Sequence, residues 1–313
     1  MTISEFGQIK DNLNTSGFLG SDAALGNLFM LQERYKIDCC VLNGLLFRHF
    51  DFSDSIRGFA FPIIIGNQQN NYLEQFITHI TQNNTKNEIP LCLFSEQQKK
   101  ELDNFLMVSN SSYHIDWQSN REDSDYIYLT KKLITLSGNK LQKKKNHISQ
   151  YNRHFQNCSF VYFDKDTFSQ TLYDAFLFVA ERWITEQEQT NDAHRLSDYY
   201  SEIESVKLAL DNISIFNFCG GILYIDTAPV AITLASKISD EVLDIHFEKC
   251  LAQAAKYGGY AVINNLFVKH CNSFRYINRE EDLGIEGLRK SKLSYKPAVI
   301  LDKFYGTLTK WKS

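Results

Sequence analysis

What this sequence lacks narrows the field first. No apolar run approaches the roughly 18 residues that a membrane-spanning helix needs, so none is expected. The amino terminus, MTISEFGQIKDNLN, has neither the basic start nor the apolar core of a secretory signal. The seven cysteines (Cys39, Cys40, Cys92, Cys158, Cys219, Cys250, Cys271) are odd in number and contain no CxxC pair. That argues against a zinc site or a disulfide frame and for a reducing compartment, so a cytoplasmic location is expected. No Walker loop, Ser-His-Asp motif or metal-ligand cluster is visible, and no metal is expected. A net charge of −4 gives no overall attraction to nucleic acid or anionic membrane. Any polyanion must be met by a local patch.

What is present is a chain that can bury a real core: 313 residues, 43% hydrophobic and 22% charged. A helix is expected over 22–34, capped by Ser21 or Asp22. KIDCCVLNGLLFRHF reads as two strands about Asn43-Gly44, a strong hairpin dipeptide, with a third strand in GFAFPIII. Helices over 71–81 and 96–107 flank a short strand at 90–94, and 125–136 reads as a strand. The second half repeats the order: a helix over 198–210, a strand in ISIFNFCGGILYI, a turn at Asp226-Thr227, then strands in PVAITLASKI and EVLDIHFE. Helix, strand, tight turn, strand, strand occurs twice, which predicts two similar α/β (α+β) units with antiparallel hairpins. Between them, Leu141, Ile148, Tyr151 and Phe155 make one helical stripe. Phe168, Leu172, Phe176, Val179 and Trp183 make another, with Asp166 as its N-cap; both stripes read as core. The polar segment 185–198 reads as a mobile surface loop.

Three constellations stand out. From 131 to 154 there are seven Lys or Arg residues and no acid. Lys140, Lys143, Lys144 and His147 fall on the side of the helix away from its apolar stripe, with Lys145 near the border. The helix start at Ser137-Gly138-Asn139 offers free N–H groups. Together they suit a phosphate-rich ligand: tRNA, a coenzyme A tail or lipid headgroups. In LDIHFEK, strand alternation puts Asp244, His246 and Glu248 on one face, where a carboxylate beside an imidazole suits proton transfer. In INREEDLGIEGLRKSKLSYKP, Glu281 or Asp282 is expected to cap a helix running to Lys292. Gly284 and Gly287 would permit close approach along it, and Arg289 and Lys292 would grip an anion.

The segments KLQKKKNHI, FEK and INREEDLGIEGLRKSKLSYKP, with GNLFMLQERYKIDCCVLNGLLF near the start, resemble the phosphatidylglycerol lysyltransferase carboxy-terminal domain family. The resemblance implies two tandem GNAT-like units with mixed, largely antiparallel sheets, one over 1–135 and one over 136–313 carrying the active site. It implies a bacterial aminoacyl or acyl transferase with no cofactor beyond its donor, aminoacyl-tRNA or a CoA thioester. The acceptor would be a lipid at the membrane surface, a cell-wall precursor or another small amine or hydroxyl. On that reading Lys140, Lys143, Lys144, Arg289 and Lys292 contact donor phosphates. Glu248 with His246 removes a proton, and Glu281 and Asp282 orient the acceptor. The alternatives are an acetyl-CoA-dependent N-acyltransferase, although no Q/RxxGxG/A loop is evident, or a non-catalytic descendant that binds RNA or a protein partner.

Overall fold

Asn43 and Gly44 both take positive φ, 51° and 75°, which is the turn hand that matches strand twist. They join β2 (Asp38–Leu42) to β3 (Leu45–Asp51) with Leu42 opposite Leu45. The computed structural model describes every residue except 54–55, 68–69, 83, 85–86, 190–195 and 312–313.

Two sheets follow. The first holds β1 (Leu13–Asn14), β2, β3, β4 (Arg57–Phe59), β5 (Ile63–Ile65), β6 (Glu88–Phe94), β7 (Tyr113–Ser119) and β15 (Phe304–Lys310). Its order is β1-β5-β3-β4-β6-β15-β7, with β2 on β3. The second holds β8 (Asp125–Leu129), β9 (Cys158–Phe163), β10 (Cys219–Ile225), β11 (Ala228–Ser239), β12 (Val242–Cys250), β13 (Tyr276–Asn278) and β14 (Val299–Leu301), in the order β14-β8-β13-β12-β11-β10-β9. Among the described residues each sheet has one parallel pair, β4 with β6 and β12 with β13. The expected α+β architecture of two units with mixed, largely antiparallel sheets is therefore present. Each unit lends the other a strand: β15 lies between β6 and β7, and β8 lies between β13 and β14. Neither sheet is built from one continuous stretch of chain.

The helices are α1 (Ile3–Ile9), α2 (Leu25–Met30), α3 (Tyr72–Gln82), α4 (Glu96–Val108), α5 (Thr130–Thr135), α6 (Gln142–His154), α7 (Gln170–Glu188), α8 (Leu196–Asp211), α9 (Ile213–Phe216), α10 (Ala252–Ala255), α11 (Gly259–His270) and α12 (Glu286–Ser294). The largest core takes Leu46, Phe50 and Ile63 from the first sheet and Ile232, Leu234 and Phe247 from the second, with Phe29 of α2, Phe176 and Val179 of α7 and Val206 of α8. It joins the units by apolar burial. Helices α5 and α11 cover the other side of β8, β12 and β13 through Leu133, Phe267, Val268, Tyr128, Ile245 and Ile277. The stripe Leu141, Ile148, Tyr151 and Phe155 packs inward as expected.

Several expected elements differ. The helix at 22–34 is a 3-10 turn at Ser21–Ala23 followed by the shorter α2. The backbone N–H of Ser21 donates to Asp125 at 2.8 Å, and Asp22 takes the buried Arg48 at 3.0 Å, so neither acts as a simple helix cap. GFAFPIII divides into β4 and β5, and 125–136 into β8 and α5. ISIFNF is α9, closed by left-handed Asn217, before β10 begins. Ser169, not Asp166, caps α7, because Asp164 folds 164–167 into its own turn. The two ends of 185–198 are helical, in α7 and α8; the loop expected at 190–195 lies outside the described residues.

Candidate functional site

The parallel pair β12–β13 stops at Asp244 opposite Asn278, yet β12 runs on to Cys250. Beyond that point the strands separate, and a gap opens in the second sheet. Strand β12 also carries a bulge. Ile245 faces Ala235 and Phe247 faces Leu234, which leaves His246 as the extra residue. His246 and Phe247 therefore both meet the core between the units, His246 against Phe218 and Phe247 against Phe176. The bulge shifts the phase of alternation, so Glu248 emerges on the side of α11. The expectation that Asp244, His246 and Glu248 share one face is thereby corrected, and the gap has two differently furnished sides.

On the outer side, beneath α6 and α11, Arg279 Nη2 meets Glu248 Oε1 at 2.8 Å. Asn264 of α11 donates to the other Glu248 oxygen at 3.0 Å. Arg279 is largely buried, its guanidinium 4.9 Å from the Tyr295 ring centre and 5.9 Å from that of Tyr128. Its Nη1 has no hydrogen-bond partner among the described residues. Lys144 lies with Nζ 3.9 Å from the same Tyr295 ring. Burial, with the neighbouring charges of Arg279 and Lys143, lowers its pKa to about 8. Lys140, Lys143 and Lys145 are exposed alongside it.

On the inner side, Glu280 and Glu281 line a cavity of about 70 Å³ between the units, with Asn27, Tyr35, Lys303 and Tyr305. Burial and nearby carboxylates raise the pKa of both glutamates to about 7. Lys303 bridges the units, with Nζ 2.7 Å from Asp125, 3.1 Å from Ser21 Oγ and 3.9 Å from Glu281. His246 Nδ1 lies 3.2 Å from Glu280 and 3.3 Å from Asp244. Burial disfavours the imidazolium, but those carboxylates outweigh it and lift the pKa of His246 to about 10. Its Nε2 is 2.8 Å from Ser236 Oγ. Ser236, His246 and Asp244 thus stand in the order of a hydrolase triad, which the linear sequence conceals. Ser236 is buried under Gly26, where even a methyl group would come within 2.5 Å of its Oγ, so no acyl group reaches it.

The 281–292 segment is arranged differently from the single capped helix expected. Glu280, Leu283 and Gly284 take left-handed φ (54°, 53° and 70°), forming a turn, and α12 begins only at Glu286. A Cβ at Gly284 would meet Glu122 at 2.8 Å in an already strained conformation, whereas Gly287 faces open space; the two do not share a helix face. Asp282 holds the Arg289 guanidinium through two bonds of 2.7 and 2.8 Å, with Tyr126 donating at 2.6 Å. Burial opposes ionisation of Asp282, but these partners bring its pKa down to about 2. Lys292 is buried, and its Nζ donates to the carbonyls of Arg279, Glu280 (3.0 Å) and Glu281. Arg289 and Lys292 thus hold the turn that aims Arg279 to one side of the gap and Glu280 to the other. Sequence reading passed over Arg279, Glu280, Asn27 and Lys303. The alternating register of NRE beside FEK was the only available hint, and it required knowing that β12 and β13 are neighbours.

The profile of the family described as "Phosphatidylglycerol lysyltransferase, C-terminal" matches residues 14–305. A conserved protein of unknown function from Bacteroides thetaiotaomicron is 26% identical and superposes with a TM-score of 0.82, covering 99% of this chain and 98% of that one. The L-PGS of Bacillus licheniformis shares the fold at 13% identity, with a TM-score of 0.62 over 99% of this chain and 92% of its own. An uncharacterized protein of Mycoplasmoides gallisepticum is 24% identical over 218 residues, 66% of this chain and 67% of that protein. Among the described residues no helix is long and apolar enough to cross a membrane.

Proposed function

Since this chain belongs to the phosphatidylglycerol lysyltransferase carboxy-terminal family, whose fold and chemistry are those of acyl transfer, we propose that it moves an aminoacyl group from charged tRNA to an amine or hydroxyl acceptor across the β12–β13 gap. The observation that carries this reading is Arg279: a buried guanidinium at the gap, tied to Glu248 by one nitrogen and with a free donor on the other. A buried, pre-aimed N–H is what a developing oxyanion requires. The exposed Lys140 and Lys143 and the half-buried Lys144 lead to it and take the donor's phosphates.

In this scheme the acceptor enters from the inner cavity. Glu281, its pKa near 7, takes the acceptor's proton as the acceptor N or O attacks the ester carbonyl. Negative charge forms on the carbonyl oxygen and is met by Arg279 Nη1. Collapse breaks the ester bond and returns a proton to the departing ribose hydroxyl. Glu248 keeps Arg279 in place, and Asp282, Arg289 and Lys292 hold the turn that carries it. The acceptor is an amine or hydroxyl small enough to present to this cavity.

The test is a transfer assay with bulk aminoacylated tRNA and a panel of lipid, cell-wall and amine acceptors, run with acetyl-CoA as competitor. Arg279→Lys should retain tRNA binding and lose turnover by about 100-fold or more, the scale of a lost oxyanion donor. Unchanged turnover in Arg279→Lys and Glu281→Gln would overturn the scheme. Turnover supported by acetyl-CoA without tRNA would transfer the same site to a CoA-dependent N-acyltransferase.

A further inference from the structure

The inner side of the gap holds a group of donors that the transfer scheme leaves unused. His246 Nδ1, a carboxylate oxygen of Asp244 and one of Glu280 lie within 4.8 Å of one another. The two separations from the imidazole are 3.2 and 3.3 Å. Ligands about 2.1 Å from a common ion at tetrahedral or octahedral angles are about 3.0–3.4 Å apart, so these separations match the edges of a coordination polyhedron.

A second, independent observation concerns satisfaction. Asp244 is fully buried; one oxygen has only the His246 contact at 3.3 Å, and the other has no partner among the described residues. Its near neighbour is the His246 nitrogen itself. The buried Asn27 amide, whose nitrogen is 3.5 Å from Glu280, likewise leaves its Oδ1 unpartnered. Buried oxygens without donors are costly, and those of Asp244 lie beside the His246 imidazole.

Charge gives the same answer. The carboxylates of Asp125, Asp244, Glu280 and Glu281 face the two ammonium groups of Lys303 and Lys292. The acids outnumber the ammonium groups, and a bound cation would take the place of the proton that His246 shares with its two carboxylates. Ser236 on Nε2 would fix the imidazole with Nδ1 toward the ion, the usual work of an outer partner.

We propose that Asp244, His246 and Glu280 bind a divalent cation of the Zn²⁺ or Mn²⁺ class. Two carboxylates and one imidazole suit ions of that borderline hardness. Glu280 and Asn27 also line the inner cavity, whose volume of about 70 Å³ gives the ion an entry path and leaves room for water in its remaining positions. The site is distinct from Arg279 and the basic helix, so it stands or falls apart from the transfer scheme.

The experiment starts from full-length protein stripped with EDTA and uses Zn²⁺ and Mn²⁺ separately as probes. Calorimetric titration is paired with thermal unfolding. The expected result is one ion per chain for at least one probe and a rise in Tm of several degrees. Asp244→Asn and Glu280→Gln should each weaken binding by about tenfold or more, and the exposed control Glu286→Gln should not. Glu280 is only half-buried, so its variant guards against a folding failure at Asp244. Absence of saturable binding to either ion would overturn the proposal, especially with Asp244→Asn more stable than the parent, because the carboxylate would then be neutralised by protons alone. Binding that survives in both variants would overturn it equally.

Discussion

The two sides of the β12–β13 gap are made by adjacent residues and yet have opposite character. Arg279 faces outward to Glu248, Tyr295 and Lys144, and Glu280, next in the chain, faces inward to His246 and the cavity. The outer side is cationic, partly open and continuous with an exposed helix. The inner side is anionic and faces the cavity between the units. The difference teaches that polarity across a sheet can be set by backbone phase. A one-residue bulge in β12 is enough to separate His246 from Glu248, which simple alternation would group.

That contrast can be broken most severely at the outer ion pair. Arg279→Ala leaves a mostly buried Glu248 without its counter-charge, and removal of one partner of such a pair costs about 3–5 kcal/mol. Urea denaturation should show this loss, and the double variant with Glu248→Ala should recover part of it. Independent, additive effects would mean that the two groups do not interact in solution.

Charge reversal at Lys143, Lys144 and Lys145 comes next. It should reduce affinity for bulk tRNA by about 100-fold at low salt and flatten the salt dependence. Filter binding at two ionic strengths reads this directly. Equal affinity before and after reversal would remove the outer side as a polyanion surface.

The inner side is probed by Gly26→Ala. The added Cβ would lie 2.5 Å from Ser236 Oγ and 2.8 Å from the Phe218 ring, pressing on the support of His246. Overpacking of this kind costs about 1–3 kcal/mol. Denaturant midpoints should fall accordingly, with tRNA binding unaffected once the protein is folded. A neutral substitution would show that α2 can move off the sheet.

The smallest expected effect is in pH. Burial and the neighbouring cations lower the Lys144 pKa from 10.5 to about 8, so its positive charge is lost as pH rises through 8 rather than through 10. Anion binding on the outer side should therefore weaken by about a few-fold between pH 7 and 9, one phosphate contact's worth. Lys144→Arg should remove that slope, since the guanidinium stays charged. A parent protein with no slope would place Lys144 outside the binding surface.

Much of the scaffold was legible because it is locally encoded. Asn43-Gly44 supplies the turn its strands need, and the stripes on α6 and α7 follow the helical period into the core. The basic character of 131–154 was legible for the same reason. The site was legible only in part. The phase shift at His246 depends on the partner strand β11, and nothing within LDIHFEK announces it. The turn at 280–284 was hidden by a sequence that also reads as a capped helix. Arg289 looked like an anion grip, but its anion is Asp282 seven residues earlier, a contact that exists only once Leu283 and Gly284 are left-handed. Lys303 and Asp125 meet from opposite ends of the sequence, through pairing that no local pattern carries.

The reciprocal exchange of strands has a consequence for how the protein is made. Among the described residues, β7 pairs only with β15, so residues 113–119 have no sheet partner until residues 304–310 have been synthesised and have left the ribosome. The first unit therefore cannot finish ahead of the second in the order of translation. Both sheets close only once residues 299–310 are available, by contacts of very long sequence separation, which is a slow route. Until residues 304–310 emerge, β6 and β7 are open edges, and the nascent chain is exposed to misassembly over that interval.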